Sequence, residues 1–226
     1  MMLRLPGLLS PDQVAHCRDV LGAADWRDGR ATAGQQSAAA KRNLQLDETS
    51  AEARALGKMV LAALAANTTF MSAALPLNVF PPLFNLYRDG MGFGDHIDNA
   101  VRGSAAGARY RTDLSCTLFH SDPADYDGGE LVVEDGFEPR RVKLPAGDAV
   151  LYPATTVHRV EPVTRGARLA SFFWVQSMVA SGEQRALLFE LDRAIAAARA
   201  DLGDDHAAAV SLVGAYHNLV RMWGQV

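Results

Sequence analysis

Two histidines and one aspartate in this chain have the types and spacing of a three-ligand metal site. His96 and Asp98 are one residue apart, and His158 lies in a distant strand-like segment. Alternate residues of a β-strand point to the same face, so His96 and Asp98 can offer ligand atoms to one metal ion. Two imidazoles and one carboxylate leave positions open on an octahedral iron(II). The pattern therefore predicts that His96, Asp98 and His158 are both the metal ligands and the catalytic residues.

An arginine follows the last of these histidines by ten residues. Arg168 stands before an apolar run that ends Phe172-Phe173-Trp174-Val175. A guanidinium pointing into such a core needs a partner, because an unpaired buried charge is very costly. A carboxylate is the natural partner, since it accepts two parallel hydrogen bonds from the guanidinium fork. The sequence leaves open whether that carboxylate belongs to the protein or to a dicarboxylate co-substrate.

The metal-site pattern is weak evidence when taken alone. The chain has six histidines and 26 acidic residues, so a histidine and an aspartate at this spacing can arise by chance. The other four histidines have no ligand-like partners at metal spacing, and we expect them at the surface or hydrogen-bonded in the core. They are His16, His120, His206 and His217.

Composition limits the class of protein. A length of 226 residues is enough for one sizeable core, and 49% hydrophobic residues are typical of a globular protein. No apolar run reaches the roughly 18 residues that span a membrane, and residues 1–10 do not have the pattern of a signal peptide. Cys17 and Cys116 lack metal-type spacing, so we expect buried, reduced thiols in a cytoplasmic protein. The net charge of −4 favours neither a nucleic acid nor a membrane as partner.

The hydrophobic pattern predicts helices at both ends of the chain. Ser10-Pro11-Asp12-Gln13 has the form of a capping box for a helix that extends to about position 24. Thr49 and Glu52 indicate a second capping box, before a helix that reaches about position 67. Beyond position 181 two further helices are predicted, the first ended by Gly203. These last helices either pack on the sheet or form the seam of a homo-oligomer, and periodicity does not separate the two.

Between residues 81 and 181 the pattern predicts antiparallel strands folded as a sandwich or barrel. Short apolar or alternating runs are separated by turn signals such as Asp127-Gly128-Gly129 and Arg165-Gly166. The predicted strands are 83–87, 94–98, 112–119, 129–133, 141–144, 149–152, 158–160 and 169–175.

Further motifs extend the pattern over nearly the whole chain. With Asn85-x-Tyr87-x-x-Gly90 before the metal triad, the chain resembles the iron(II)/2-oxoglutarate dioxygenases, and more closely the bacterial PKHD-type hydroxylases, a group associated with iron uptake. The resemblance implies mainly β structure with flanking helices (α+β) around a double-stranded β-helix, or jelly-roll, core. The other similar segments are Leu8-Leu9-Ser10, Arg111-Thr112-Asp113-Leu114-Ser115, Asp127-Gly128-Gly129-Glu130-Leu131, Leu144-Pro145-Ala146-Gly147-Asp148 and Tyr216-His217-Asn218-Leu219.

We accordingly expect three regions along the chain. Residues 1–77 form a helical and mixed region that packs on the core, residues 78–178 form the jelly-roll dioxygenase domain, and residues 179–226 form a C-terminal helical extension.

The resemblance also implies a reaction and its cofactors. His96, Asp98 and His158 would hold Fe(2+), and Arg168 would bind the distal carboxylate of 2-oxoglutarate. With O2 the enzyme would hydroxylate an unactivated C–H bond of a peptidic or small-molecule substrate, giving succinate and CO2. L-ascorbate is expected to restore iron that is oxidised outside the cycle.

Two more residues are candidates for binding the co-substrate. Tyr87 is expected to donate a hydrogen bond to it, with a core tyrosine near a turn as the alternative, and Asn85 is a further candidate. Plant-type members have a serine two residues after the arginine, whereas here position 170 is alanine and the serine is Ser171. The second hydrogen-bond partner of the distal carboxylate therefore stays open.

Three other functions also stay open. The Asn85-x-Tyr87 spacing resembles that of nucleic-acid demethylases of the same superfamily, which would need a basic groove. A cupin-like hydrolase would share the jelly roll but has no need for Arg168. A non-catalytic module would bind iron or 2-oxoglutarate as a sensor.

The segment 99–111 follows directly on Asp98 and carries Arg102 and Arg109 around a centre of small residues. It is either a mobile basic lip that favours an anionic substrate or a solvated loop. The aromatic run Phe172-Phe173-Trp174 is expected to belong to the core rather than to the substrate site.

Overall fold

Sixteen strands and six α-helices make up the described part of the chain. The computed structural model describes residues 1–32, 35–103, 107, 109–134, 136 and 138–225. The helices are α1 (Pro11–Gly22), α2 (Gln35–Ala40), α3 (Ala51–Ala66), α4 (Thr68–Ala74), α5 (Gly182–Leu202) and α6 (Ala207–Trp223), with 3-10 turns at Gly29–Thr32 and Pro123–Asp125. The strands are β1 (Leu3–Leu5), β2 (Trp26–Asp28), β3 (Lys41–Arg42), β4 (Leu44–Leu46), β5 (Pro76–Val79), β6 (Leu83–Arg88), β7 (Gly92–His96), β8 (Val101–Gly103), β9 (Arg109–Arg111), β10 (Leu114–Phe119), β11 (Tyr126–Gly128), β12 (Leu131–Val133), β13 (Arg140–Val142), β14 (Ala149–Pro153), β15 (His158–Val160) and β16 (Val163–Ser177).

Most of the strands belong to two antiparallel sheets. The larger sheet has the order β1-β14-β10-β16-β6-β4-β2, and β5 and β11 pair with parts of β16. The smaller sheet has the order β13-β12-β15-β7-β3, and β8 and β9 form a separate ribbon. A cluster of buried side chains from both sheets fills the space between them, so the sheets face each other. This is the mainly β arrangement with flanking helices that the sequence predicts.

The period of two along the strands gives the larger sheet two different faces. On β10, Leu114, Cys116 and Leu118 belong to the core cluster formed with helices α1, α3 and α4. Ser115 and Thr117 lie between them in the strand and line a cavity on the inner face. The helices therefore cover one face of the larger sheet, and the other face is left for polar side chains.

Most predicted elements are present, with two local errors. The turn predicted at Arg165-Gly166 is wrong, because both residues lie inside the 15-residue strand β16, where they pair with β11. Gly166 has a φ of +69°, a backbone conformation that residues with a Cβ rarely adopt. The N-cap of α3 is Ser50, whose hydroxyl accepts from the amide of Ala53, and not Thr49. Thr49 instead binds the Asp47 carboxylate.

The strands before position 80 were not predicted, and they join both sheets. Strand β1 pairs with β14, β4 pairs with β6, and β3 pairs with β7. Each has only two or three residues, which is too short for alternation to be recognised in the sequence. The expected region 1–77 thus contributes edge strands as well as helices.

The C-terminal helices pack on the end of the larger sheet. Leu188 of α5 joins a buried cluster with Leu75 and Val179, and several side chains of α6 pack against that cluster. None of the described helices has the length and apolar character needed to cross a membrane. Cys17 and Cys116 are buried free thiols, as predicted.

We expect Gly166→Ala to destabilise the fold and Gly214→Ala to be neutral or stabilising. A Cβ at position 166 would clash with the backbone carbonyl oxygen of Asp125, and the positive φ is strained for alanine, so the loss should exceed ~1 kcal/mol. Gly214 lies inside α6 with open space around it, where alanine typically gains ~0.5–1 kcal/mol. Urea denaturation of the two variants measures the difference, and equal stability would contradict it.

Candidate active site

His96, Asp98 and His158 come together at one end of the space between the sheets. One ligand atom from each residue lies within 4.8 Å of the others. Strands β7 and β15 are neighbours in the smaller sheet, and their register places His158 directly opposite His96. Strand β7 ends at His96, two residues earlier than predicted, so Asp98 lies just beyond it. Oδ2 of Asp98 is 3.7 Å from Nε2 of His158.

Backbone carbonyls orient both imidazole rings. Nδ1 of His96 is 2.8 Å from the carbonyl oxygen of Gly94, and Nδ1 of His158 is 3.0 Å from that of Thr156. A carbonyl oxygen only accepts, so Nδ1 is the protonated nitrogen and Nε2 keeps its lone pair for a cation. The hydroxyl of Ser115 donates to Oδ2 of Asp98 and fixes the carboxylate. Ser115 lies in a motif that the sequence singled out, but its role was not foreseen.

The electrostatics of the cluster favour neutral histidine. Burial, and secondarily the neighbouring His158, lowers the pKa of His96 to about 4. The ring of Phe93 stacks on His96 with centroids 3.6 Å apart and excludes water from one side. At neutral pH His96 is therefore uncharged, which is the state that binds a metal.

Arg168 lies at the other end of the same cavity and is fully buried, with 1% of its surface exposed. None of its three guanidinium nitrogens makes a hydrogen bond, and no carboxylate among the described residues forms an ion pair with it. The rings of Tyr87 and Phe119 face the guanidinium at 5.4 and 5.1 Å. The described residues thus provide no protein carboxylate for Arg168. The geometry favours the other partner considered, the carboxylate of a bound co-substrate.

Two tyrosine hydroxyls accompany the arginine. Tyr87 is buried beside Arg168, and its hydroxyl is 3.5 Å from Nδ2 of Asn85. Tyr126 was not anticipated, because the sequence there suggested only a turn. Its buried hydroxyl has no hydrogen-bond partner of good geometry among the residues that the structure describes. Burial raises the pKa of both tyrosines against the opposing charge of Arg168, so both remain hydrogen-bond donors. A Cβ on Gly129 would lie 2.9 Å from the Tyr126 ring and 3.1 Å from Cδ of Arg168, which explains the glycine.

Ser171 does not belong to this group. It is three residues from Arg168 on β16 and therefore points to the opposite face of the sheet. There its hydroxyl lies 3.1 Å from Nε2 of the buried His120. His120 is thus a hydrogen-bonded core residue, as expected, and His16, His206 and His217 are exposed. The residue that shares the face of Arg168 is Ala170, which has no hydroxyl to offer.

The cavity between these two ends opens to solvent, and the empty space of about 750 Å3 includes part of that opening. The expectation that the aromatic run belongs to the core is confirmed for Phe173 and for Trp174, which is buried in a small cluster with Phe80 and Leu83. Phe172 packs against that cluster, and both Phe172 and Trp174 also line the cavity. Lys41 also lines it, which the sequence did not indicate.

Within the segment 99–111, β8 and β9 pair as a ribbon beside the cavity. Arg102 lines the cavity, whereas Arg109 is exposed. Residues 104–106 and 108, the centre of the proposed mobile lip, lie outside the described residues. Whether this segment is a lip or a solvated loop stays a prediction.

Comparison with known proteins agrees with this geometry. Residues 82–176 match the 2OG-Fe(II) oxygenase superfamily, and residues 183–225 match the PKHD-type hydroxylase C-terminal domain. A PKHD-type hydroxylase of Burkholderia thailandensis is 58% identical over 224 residues, which is 99% of both chains. A PKHD-type hydroxylase of Methylobacterium nodulans is 54% identical over 227 residues, which is 100% of both chains.

The solved structure of a Pseudomonas putida prolyl-4-hydroxylase is similar in fold. It superimposes with a TM-score of 0.52 at 20% sequence identity, covering 78% of this chain and 92% of the other. This likeness confirms the predicted jelly-roll core. The chain belongs to the PKHD-type hydroxylases, a family of enzymes within the 2OG-Fe(II) oxygenase superfamily.

Proposed function

We propose that this enzyme uses iron(II), 2-oxoglutarate and O2 to hydroxylate an unactivated C–H bond of a peptidic or small-molecule substrate. In this proposal His96, Asp98 and His158 hold the iron, and Arg168 binds the distal carboxylate of the co-substrate. The observation that carries it is a fully buried arginine without a carboxylate partner in the described part of the chain, in the cavity that also holds the histidine–aspartate cluster.

The cluster suits iron(II) in the chemistry of its donor atoms. Two neutral imidazole nitrogens and one carboxylate oxygen match the set that non-haem iron oxygenases use. The carbonyls of Gly94 and Thr156 and the hydroxyl of Ser115 hold these donor atoms in place before a metal binds. Such pre-orientation by outer partners typically raises metal affinity.

The tasks of the protein are to bind, to orient and to exclude water. When bound, iron(II) with 2-oxoglutarate and O2 supplies the oxidising power that inserts one oxygen atom into a C–H bond, with succinate and CO2 as co-products. Arg168 provides the charge for the distal carboxylate, and the hydroxyls of Tyr87 and Tyr126 are placed to donate to it. Asn85 holds Tyr87 through its amide. The aromatic walls limit access of water to this end of the cavity.

Several finer points belong to the same proposal. L-ascorbate would return oxidised iron to the ferrous state, and the activity would serve iron uptake. The buried free thiols of Cys17 and Cys116 suit the reducing cytoplasm as the site of action. Val210 and Met222 are exposed apolar residues of α6, through which the chain could self-associate. The acidic net charge of −4 supports a small molecule or peptide rather than a nucleic acid as substrate.

Replacing any of His96, Asp98 and His158 with alanine should abolish turnover and leave the fold largely intact. Loss of one donor from three leaves an incomplete ligand set, so iron(II) affinity should also fall. Anaerobic calorimetric titration measures that affinity, and circular dichroism monitors the fold. The exposed His217→Ala is the matched control and should bind iron normally. Unchanged iron affinity in the His96 and His158 variants would refute the assignment.

Arg168→Ala should weaken 2-oxoglutarate binding much more than metal binding. Loss of a buried, charge-assisted pair typically costs ~2–5 kcal/mol, which is roughly thirtyfold or more in affinity. Arg168→Lys should lose less, since the charge remains without the fork geometry. Titration of 2-oxoglutarate into metal-loaded protein tests this, with the exposed Arg88→Ala as control. A dissociation constant equal to that of the unmodified enzyme would exclude Arg168 as the anchor.

Tyr126→Phe should raise the dissociation constant of 2-oxoglutarate by about two- to tenfold. The change removes one hydroxyl and its hydrogen bond, which is typically worth ~0.5–1.5 kcal/mol. Ser171→Ala removes a hydroxyl from the opposite face of the strand and should leave the co-substrate affinity unchanged. The same titration measures both variants, and the reverse order of effects would show that Ser171, not Tyr126, is the partner.

A further inference from the structure

Two cationic side chains lie on the aromatic walls of the cavity, away from Arg168. The ammonium of Lys41 is 5.4 Å from the ring centre of Phe93 and 5.7 Å from that of Phe172. The guanidinium of Arg102 is 4.4 Å from the ring centre of Trp174. Lys41 is 4% exposed although it carries a charge. The two cations reach this place from different elements, β3 and the β8–β9 ribbon, so their convergence is a property of the tertiary structure.

The aromatic wall connects the two cations with each other and with the metal cluster. Phe172 and Trp174 are two residues apart on β16, and their rings meet edge to face at 5.5 Å. They share the inner face with Arg168. Phe93, which contacts Lys41, stacks on His96. A molecule lying on Phe172 and Trp174 would therefore lie beside both cations, within the cavity that also holds the metal cluster.

The positive charges influence each other across the cavity. Burial, and secondarily the charge of Arg102, lowers the pKa of Lys41 to about 8, against the opposing carboxylates of Asp28 and Asp98. Burial also lowers the pKa of Arg102, with Asp98 and Glu48 opposing. Like charges in a poorly solvated space repel, and an anion bound by both reduces that repulsion.

Charge balance separates these cations from the co-substrate. The two carboxylates of 2-oxoglutarate and that of Asp98 carry three negative charges, and iron(II) with Arg168 carries three positive charges. Within the proposed function the co-substrate complex is therefore neutral without Lys41 and Arg102. Lys41 and Arg102 are therefore not needed to balance the charge of the co-substrate, and both line the cavity in which a substrate would bind.

We propose that Lys41 and Arg102 form the anion-binding part of the substrate site, and that the substrate is a small organic acid. Its carboxylate, phosphate or sulfate group binds both cations, and its apolar part lies on Phe172 and Trp174. This inference rests on the proposed function, because it takes Arg168 and the metal cluster to hold the co-substrate. Both cations and both aromatic residues line the same cavity as the metal cluster.

The experiment uses the full chain loaded with zinc(II), which permits no turnover, and saturated with 2-oxoglutarate. Phenylphosphonate is the anionic probe and phenol its neutral counterpart, both titrated by ligand-observed NMR. We expect phenylphosphonate to bind more tightly than phenol, with an affinity that falls as salt increases. Lys41→Met and Arg102→Gln should each raise its dissociation constant about tenfold or more. Arg42→Gln is the matched control, because Arg42 is the exposed neighbour of Lys41 on β3, and it should bind as the unmodified chain does.

Three results would overturn the proposal. Equal affinity for phenol and phenylphosphonate would show that charge does not matter. Unchanged phenylphosphonate affinity in both cation variants would show that it binds elsewhere; Arg102→Gln alone decides this if the Lys41 variant fails to fold. A 2-oxoglutarate dissociation constant raised in these variants as much as in Arg168→Ala would assign the cations to the co-substrate. The 2-oxoglutarate affinity of the unmodified chain is measured first, so failure of the proposed function is recognised separately.

Discussion

A buried positive charge is the constraint around which the inner face of the larger sheet is arranged. Arg168 is enclosed by the aromatic rings of Tyr87 and Phe119, which stabilise a cation by their electron-rich faces but do not replace a carboxylate. Gly129 leaves the room that the arginine stem and Tyr126 need. An unpaired charge at this depth is costly, so an anion that binds only the folded chain would also stabilise it.

One strand connects the two halves of the site. Along β16, the residues at even positions from 168 to 174 face the cavity, whereas Phe173 and Val175 pack with the helices. Neighbouring strands β6 and β10 hold this register over most of its length. A slip of one residue would turn Arg168 into the hydrophobic core and bring Phe173 into the cavity. The packing of the helices therefore secures the chemistry on the other face.

The smaller sheet positions the histidine–aspartate cluster through the short strands β7 and β15, and ion pairs stabilise the pairing of these strands. Arg159 of β15 contacts Asp95 of β7 at 3.2 Å and Glu161 at 3.1 Å. These contacts lie beside His96 and His158, which oppose each other across the same pair of strands. Exposed ion pairs are weak individually, but a connected group limits the relative movement of two short strands. The carbonyls that orient the imidazoles are part of the same backbone, so ligand geometry follows from strand pairing.

The sequence by itself determined the ligand types, the arginine, the fold class and most of the strands between positions 81 and 181, because these depend on residue chemistry and on a local period of two. It did not reveal the short strands before position 80, because two to four residues are too few to show a period. Only the tertiary structure decided that Arg168 has no carboxylate partner among the described residues, that Ser171 points away from it, and that Tyr126 and Lys41 approach the cavity. Those facts depend on which segments meet across the two sheets, and contacts between distant segments leave no pattern in either segment alone.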